Sequence, residues 1–182
     1  MTDEVQTGFG RTGTMFAVEQ SHVMPDVLVM AKGIASGFPI SAIGASADLM
    51  QRWPRGSHGG TFGGNPIGCA AALATIDVLT GDGFFDGVVE RGAQLTAGLR
   101  ALQRRHPAIV DVRGPGLMVA SQFDSSARVA AVQTHCLETG KLLLMNAGTD
   151  GTTIRWMPPL TVSAEEIETA LAAFGAALDA TG

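Results

Sequence analysis

The sequence predicts an α/β chain in two parts: a portion of an open sheet over residues 1–81, and a small α+β domain over residues 82–182. Three observations carry this. The run Val27-Leu28-Val29-Met30-Ala31 is apolar without alternation, the pattern of a strand covered on both faces. Gly81-Asp82-Gly83 breaks the chain directly after an apolar helical stretch. Beyond that break the hydrophobic period alternates between helical and extended, reading helix–strand–strand–helix–strand–strand–helix.

In chain order, Met15–Ser21 predicts a short helix, Asp26–Ala31 a buried strand, and Ile43–Ser46 a second short strand. Ala47–Trp53 predicts a helix stopped by Pro54. Ser57–Pro66 (SHGGTFGGNP) is a loop by its four glycines and proline, with Asn65 as cap and Pro66 in the first turn of the next helix. That helix, Ile67–Leu79, is apolar almost all round and so is expected to be well buried. Phe84–Arg105 has an amphipathic spacing with Val88, Leu95, Leu99 and Leu102 on one face. Ile109–Arg113 and Leu117–Phe123 are strand-like around Gly114-Pro115-Gly116, a turn by composition. Arg128–Glu138 predicts a helix closed by Gly140. Leu142–Met145 and Thr152–Trp156 predict short strands, the second ended by Pro158-Pro159. Ser163 and Glu166 form a capping box opening a last helix to about Leu178.

Composition bounds the function. With 46% hydrophobic residues and a net charge of −5, the chain has what a packed core requires, and disorder is excluded. Only 12 basic residues argue against a nucleic-acid partner. No apolar run approaches the ~18 residues of a membrane span, and no signal peptide is evident, so a cytoplasmic, non-membrane location is expected. Cys69 and Cys136 fall in apolar helical patterns and are expected to be buried thiols. His22, His58, His106 and His135 lack ligand spacing, so no metal is expected. Met1-Thr2 leads directly into the polar Asp3-Glu4, which suggests a truncated chain.

Lys32 is one of only two lysines. It ends an apolar strand and precedes Gly33-Ile34-Ala35-Ser36-Gly37, at the strand end where open α/β sheets collect active sites. An amine in apolar surroundings resists protonation and attacks carbonyls. The alternative is a strand-end lysine that snorkels to water. Asp3-Glu4-Val5-Gln6 reads as a charged loop or as a pair of carboxylates. Gly8-Phe9-Gly10-Arg11-Thr12-Gly13 matches G-x-G-x-x-G, but a dinucleotide site also needs a preceding strand and a following helix. Ser57–Asn65 offers backbone amides and the Thr61 hydroxyl to an anion. Arg155, on a short strand beside Pro158-Pro159, is either a surface arginine or a guanidinium held for a substrate carboxylate.

In order, DEVQTGFGRTG, AKGIASGFPISA, GGTFGGNPIGCAAAL and IRWMPPL resemble the class III pyridoxal-phosphate aminotransferases of fold type I, over essentially the whole chain. The resemblance implies part of the large-domain sheet at 1–81 and the small C-terminal domain at 82–182, with pyridoxal 5'-phosphate as cofactor. It implies a Schiff base on Lys32, which then moves the proton; Asp3 at the pyridine nitrogen; Val5 against the ring; and Gln6 near the phenolic oxygen. It implies Gly60 and Thr61 at the phosphate, contributed across a homodimer, and Arg155 at a substrate carboxylate. The implied reaction transfers an amino group from an ω-amino acid to a 2-oxo acid, with an acetylornithine-type donor or an aminomutase as alternatives and a dinucleotide oxidoreductase as a distant one. Family members are longer before Asp3. The expectation is therefore that this chain alone binds cofactor poorly and turns over little.

Overall fold

A computed structural model describes all 182 residues, in two compact units, Met1–Asp86 and Gly87–Gly182. In the first unit β1 (Thr2–Asp3) pairs parallel with β2 (Val27–Met30), which pairs antiparallel with β3 (Ala42–Ala45). The sheet order is β1-β2-β3. The helix expected at Met15–Ser21 is a 3-10 turn over Ala17–Ser21, stopped by His22 in the left-handed region at φ 53°. α1 spans only Ala47–Met50, because Trp53 precedes Pro54 and the residue before a proline is driven out of the helical region. In α2 (Pro66–Leu79) the Asn65 side chain accepts the Gly68 N–H at 2.7 Å and Pro66 occupies the first turn.

Two burial expectations fail in this unit. Every residue of β2 is half-buried rather than enclosed. α2 buries Gly68, Ala72 and Leu79, while Ile67, Leu73 and Val78 are exposed. An all-round apolar sequence says that a helix tolerates burial on every side. It does not say that the chain carries enough elements to cover every side.

α3 (Phe84–Arg105), which belongs to the second unit from Gly87 onward, buries Val88, Leu95, Leu99 and Leu102 as its period requires. β4 (Ile109–Arg113), β5 (Val119–Phe123), β6 (Met145–Ala147) and β7 (Thr153–Trp156) form an antiparallel sheet of order β4-β5-β7-β6. α4 (Ser126–Glu138) and α5 (Ala164–Thr181) complete the unit. The strand expected at Leu142–Met145 begins only at Met145. The backbone before it is already committed to α4: Leu142 N–H donates to Cys136 O at 2.8 Å, and Gln133 Nε2 donates to Leu144 O at 3.0 Å. The capping box forms as expected, Glu166 N–H donating to Ser163 Oγ at 3.2 Å and Ser163 N–H to Glu166 Oε2 at 2.7 Å. The Ser163 backbone N–H, and with it the Ser163 hydroxyl, hydrogen-bonds the Glu166 carboxyl and holds it below its ordinary pKa.

The core of this unit is built around Phe174. Its ring meets Trp156 edge-on at 4.9 Å and Phe123 at 6.3 Å between centroids, an arrangement that favours positive ring edges against negative faces. The buried Trp156 indole N–H is satisfied by Ser121 Oγ at 3.0 Å. Cys136 is fully buried here, whereas Cys69 on α2 is exposed, contrary to expectation.

Glycines in α3 make a sharp contrast. A Cβ on Gly92 would lie 2.2 Å from Gly116 O, whereas one on Gly87 meets nothing within 4 Å. Gly87→Ala should therefore stabilise the chain by about 0.5–1 kcal/mol through helix propensity. Gly92→Ala should destabilise it by about 1–3 kcal/mol, since backbone must move to admit the methyl group. Urea midpoints of the two variants measure the difference.

Burial raises the Cys136 thiol to about 11 from an ordinary value of 9.0. Folding thus favours the neutral thiol. Its contribution is complete below pH 9 and is lost between pH 9 and 11, as the unfolded chain ionises first. Between these limits wild type should lose up to about 1.4 kcal/mol per pH unit more stability than Cys136→Ala. Urea titrations across that range should show the steeper alkaline limb only with Cys136 present; the chain has no tyrosine to mask it.

Candidate active site

Parallel pairing of β1 with β2 sets the geometry. The register Asp3↔Val29 aligns their carboxyl ends, and Glu4 N–H extends the ladder to Val29 O at 2.9 Å. Residues just beyond Asp3 therefore lie beside residues just beyond Met30. Lys32 opens a single 3-10 turn, Lys32–Ala35, with its own backbone at φ 47°, a left-handed conformation that non-glycine residues adopt rarely. From there Lys32 Nζ donates to Gln6 Oε1 at 2.6 Å.

Asp3 is exposed, and its Oδ1 accepts Val5 N–H at 2.9 Å, which turns the chain out of the strand. Val5 and Gln6 are half-buried. An amine, an amide and a carboxylate thus share one end of the sheet. The apolar enclosure expected around Lys32 is absent among this chain's own residues: its side chain is exposed. The amine is exposed, as the snorkelling alternative has it, and is also engaged by a specific partner, Gln6.

The glycine stretch at 8–13 is a series of turns. Phe9, Gly10 and Gly13 have φ of 57°, 90° and 94°, and Phe9 N–H donates to Met15 O at 2.6 Å. A 3-10 turn follows rather than an α-helix, so the stretch lacks the helix amino terminus that a dinucleotide pyrophosphate requires. Arg11 lies in these turns, and burial lowers its guanidinium pKa.

Gly60 and Thr61 lie in the exposed loop before α2, whose backbone closes one turn by Gly63 N–H to Gly60 O at 3.1 Å. Neither residue hydrogen-bonds to Lys32. Arg155 belongs to the second unit. On β7 it alternates with the buried Ile154 and Trp156, so it projects from the opposite face of the sheet, half-buried, with Nη2 3.7 Å from Met145 Sδ.

One residue of this region escaped the sequence reading. Glu4, taken there as part of a charged loop, is 1% exposed. Its Oε1 accepts Val18 N–H at 2.8 Å; its Oε2 accepts Ala17 N–H at 3.2 Å and the Thr7 hydroxyl. Its place one residue beyond β1 became visible only with the parallel pairing to β2, since no strand at Thr2–Asp3 is legible in the sequence. Nothing local announced the partners thirteen and fourteen residues away.

Comparison with known proteins agrees with this architecture. The family described as aminotransferase class-III matches residues 1–178. Acetylornithine aminotransferase of Caldanaerobacter subterraneus subsp. tengcongensis is 44% identical over 169 residues, covering 93% of this chain and 42% of that enzyme. The 5-aminovalerate aminotransferase DavT of Pseudomonas putida is 42% identical over 179 residues, covering 94% and 42%. The crystal structure of an ornithine aminotransferase from Toxoplasma gondii, with partial occupancy of PLP at its active site, superposes with a TM-score of 0.90 at 35% identity, covering 98% of this chain and 42% of that one. The chain thus spans about two-fifths of the length of these relatives. With a family match over nearly its full length and the fold of solved members, this chain belongs to the class-III aminotransferase family.

Proposed function

We propose that this chain carries the lysine-bearing part of a pyridoxal-phosphate-dependent aminotransferase that moves an amino group from an ω-amino acid to a 2-oxo acid. The observation that carries the reading is the Lys32 amine, exposed at a strand end and held by Gln6 at 2.6 Å, each of the two lying three residues beyond the Asp3–Val29 pairing that aligns the strands. The named relatives act on acetylornithine and 5-aminovalerate, which supports a donor whose amino group is remote from a carboxylate.

The residues present fit the cofactor by their chemistry. Lys32 offers the amine that would hold its aldehyde carbon. Asp3 offers a carboxylate for a ring nitrogen, with one oxygen already fixed by Val5 N–H. Val5 would cover a ring face and Gln6 would hydrogen-bond at the ring edge. Gly60 and Thr61 present exposed backbone and a hydroxyl to a phosphate, and in a homodimer they would serve the neighbouring subunit's site. When bound, pyridoxal phosphate supplies an electron sink for the carbanion left when a proton departs the amino-bearing carbon. Lys32 Nζ would take that proton and return it. Asp3 would hold the proton of the ring nitrogen, a charge-assisted bond of roughly 1.5–3 kcal/mol. Arg155 would grip a substrate carboxylate through two parallel N–H donors.

The chain's own amines give an internal control. Incubation with pyridoxal phosphate, borohydride reduction and peptide mass mapping should label Lys32 well above Lys141, whose ammonium donates to Glu138 O. Equal labelling of the two lysines would count against the reading, and Lys32→Ala should abolish the site-specific label. In equilibrium binding measurements Arg155→Lys should weaken the affinity for a carboxylate-bearing substrate by about tenfold, because lysine cannot reproduce bidentate recognition.

A further inference from the structure

We propose that Glu4 is a positioning residue for Lys32, acting through Gln6 and the turn that carries the lysine. The inference rests on the reading of Lys32 as the reacting amine, but it is tested on a property of that amine alone. Glu4 ties three segments together. Its backbone N–H bonds Val29 O, anchoring it to the strand that delivers Lys32. Its buried carboxylate accepts Ala17 N–H, Val18 N–H and the Thr7 hydroxyl, closing the loop from residue 5 to residue 16 back onto its own beginning. Its carbonyl accepts Gly8 N–H at 3.0 Å, so tightly that a Cβ on Gly8 would lie 2.8 Å from that oxygen.

The closed loop then bears on the lysine from two directions. Gln6 lies inside it and reaches Lys32 Nζ. Phe9, 5% exposed and edge-on to Phe16 at 5.4 Å, presses on the next residue: a Cβ on Gly33 would lie 3.0 Å from Phe9 Cβ. Lys32 and Phe9, at φ 47° and 57°, are both held in sparsely populated backbone conformations, which persist only where surrounding structure determines them. The buried Glu4 carboxylate is the group that joins the two ends of the loop imposing this. Removing it leaves two backbone donors without their acceptor, and the loop is free to relax away from Lys32.

The test measures Lys32 amine reactivity in the full chain without cofactor, by trace acetylation with acetic anhydride from pH 6 to 11 and mass mapping, with Lys141 as reference. Glu4→Ala should change the Lys32/Lys141 reactivity ratio by about three- to tenfold, the range spanned by one hydrogen bond, in the same sense and to the same extent as Gln6→Ala. The double variant should go no further than either single one, because both remove the same contact. Glu4→Gln, which keeps an acceptor oxygen for Val18 N–H, should recover most of the wild-type ratio. A fall in urea stability with the ratio unchanged, or additive effects of Glu4→Ala and Gln6→Ala, would overturn the proposal. If Glu4→Ala does not fold, Thr7→Val removes only the hydroxyl contact; it should move the ratio in the same sense by a smaller factor, and an unchanged ratio overturns the proposal equally. Failure of pyridoxal phosphate to label Lys32 would count against the aminotransferase reading and leave this result standing.

Discussion

The candidate site depends on one pairing, the parallel ladder between β1 and β2. Two residues of β1 meet β2 across more than twenty residues of intervening chain, and the closure entropy of that loop must be offset by what the loop itself bonds. Glu4 contributes on both counts, extending the ladder through its backbone and closing the loop through its carboxylate. Without the ladder, Lys32 is a polar residue far in sequence from Asp3 and Gln6. With it, they share one strand end, and the exposed amine acquires a fixed partner at 2.6 Å.

The two units are stabilised differently. In the second, the interior is apolar and interlocked: Leu95, Leu99, Val132, Cys136, Ile154 and Phe174 are all at most 1% exposed, and the polar Trp156 and Ser121 satisfy each other. In the first, the buried apolar set is small, chiefly Phe9, Ile34, Ala35, Ala72 and Leu79, and a buried carboxylate organises the loop beside it. Left-handed non-glycine residues also concentrate there, at Phe9, His22, Lys32 and Ser36. Backbone strain beside an exposed amine is the usual company of a site that must present a side chain at a set angle. The apolar sides of α2 and the half-covered β2 belong to the same unit, whose sequence is built for more burial than its own elements supply.

Much of the fold was legible because its signals are local. Asn65-Pro66, Ser163 with Glu166, and the period of Val88, Leu95, Leu99 and Leu102 each encode an element within one or two turns of chain, and each formed as read. The misreadings came where neighbours decide. Leu142–Leu144 has strand-like residues, but α4 takes its backbone groups first. Cys69 and Ile67 look like core residues, but only one side of α2 finds a partner. The G-x-G-x-x-G match, discounted from the sequence for want of its context, lies in turns where Phe9 and Gly10 bond back to Met15.

The sequence by itself determined the family resemblance, the order of the elements from residue 15 onward apart from the turn at Lys32–Ala35, and Lys32 as an amine at the end of an apolar strand; it singled out Asp3 and Gln6 only through that resemblance. Only the tertiary structure decided that Lys32 is exposed, that Gln6 is its partner, and that Glu4, read as one of a pair of carboxylates or part of a charged loop, is buried. The reason is physical. Burial and hydrogen-bond partnership are properties of pairs brought together by strand register and loop closure, and a single residue's identity does not carry them.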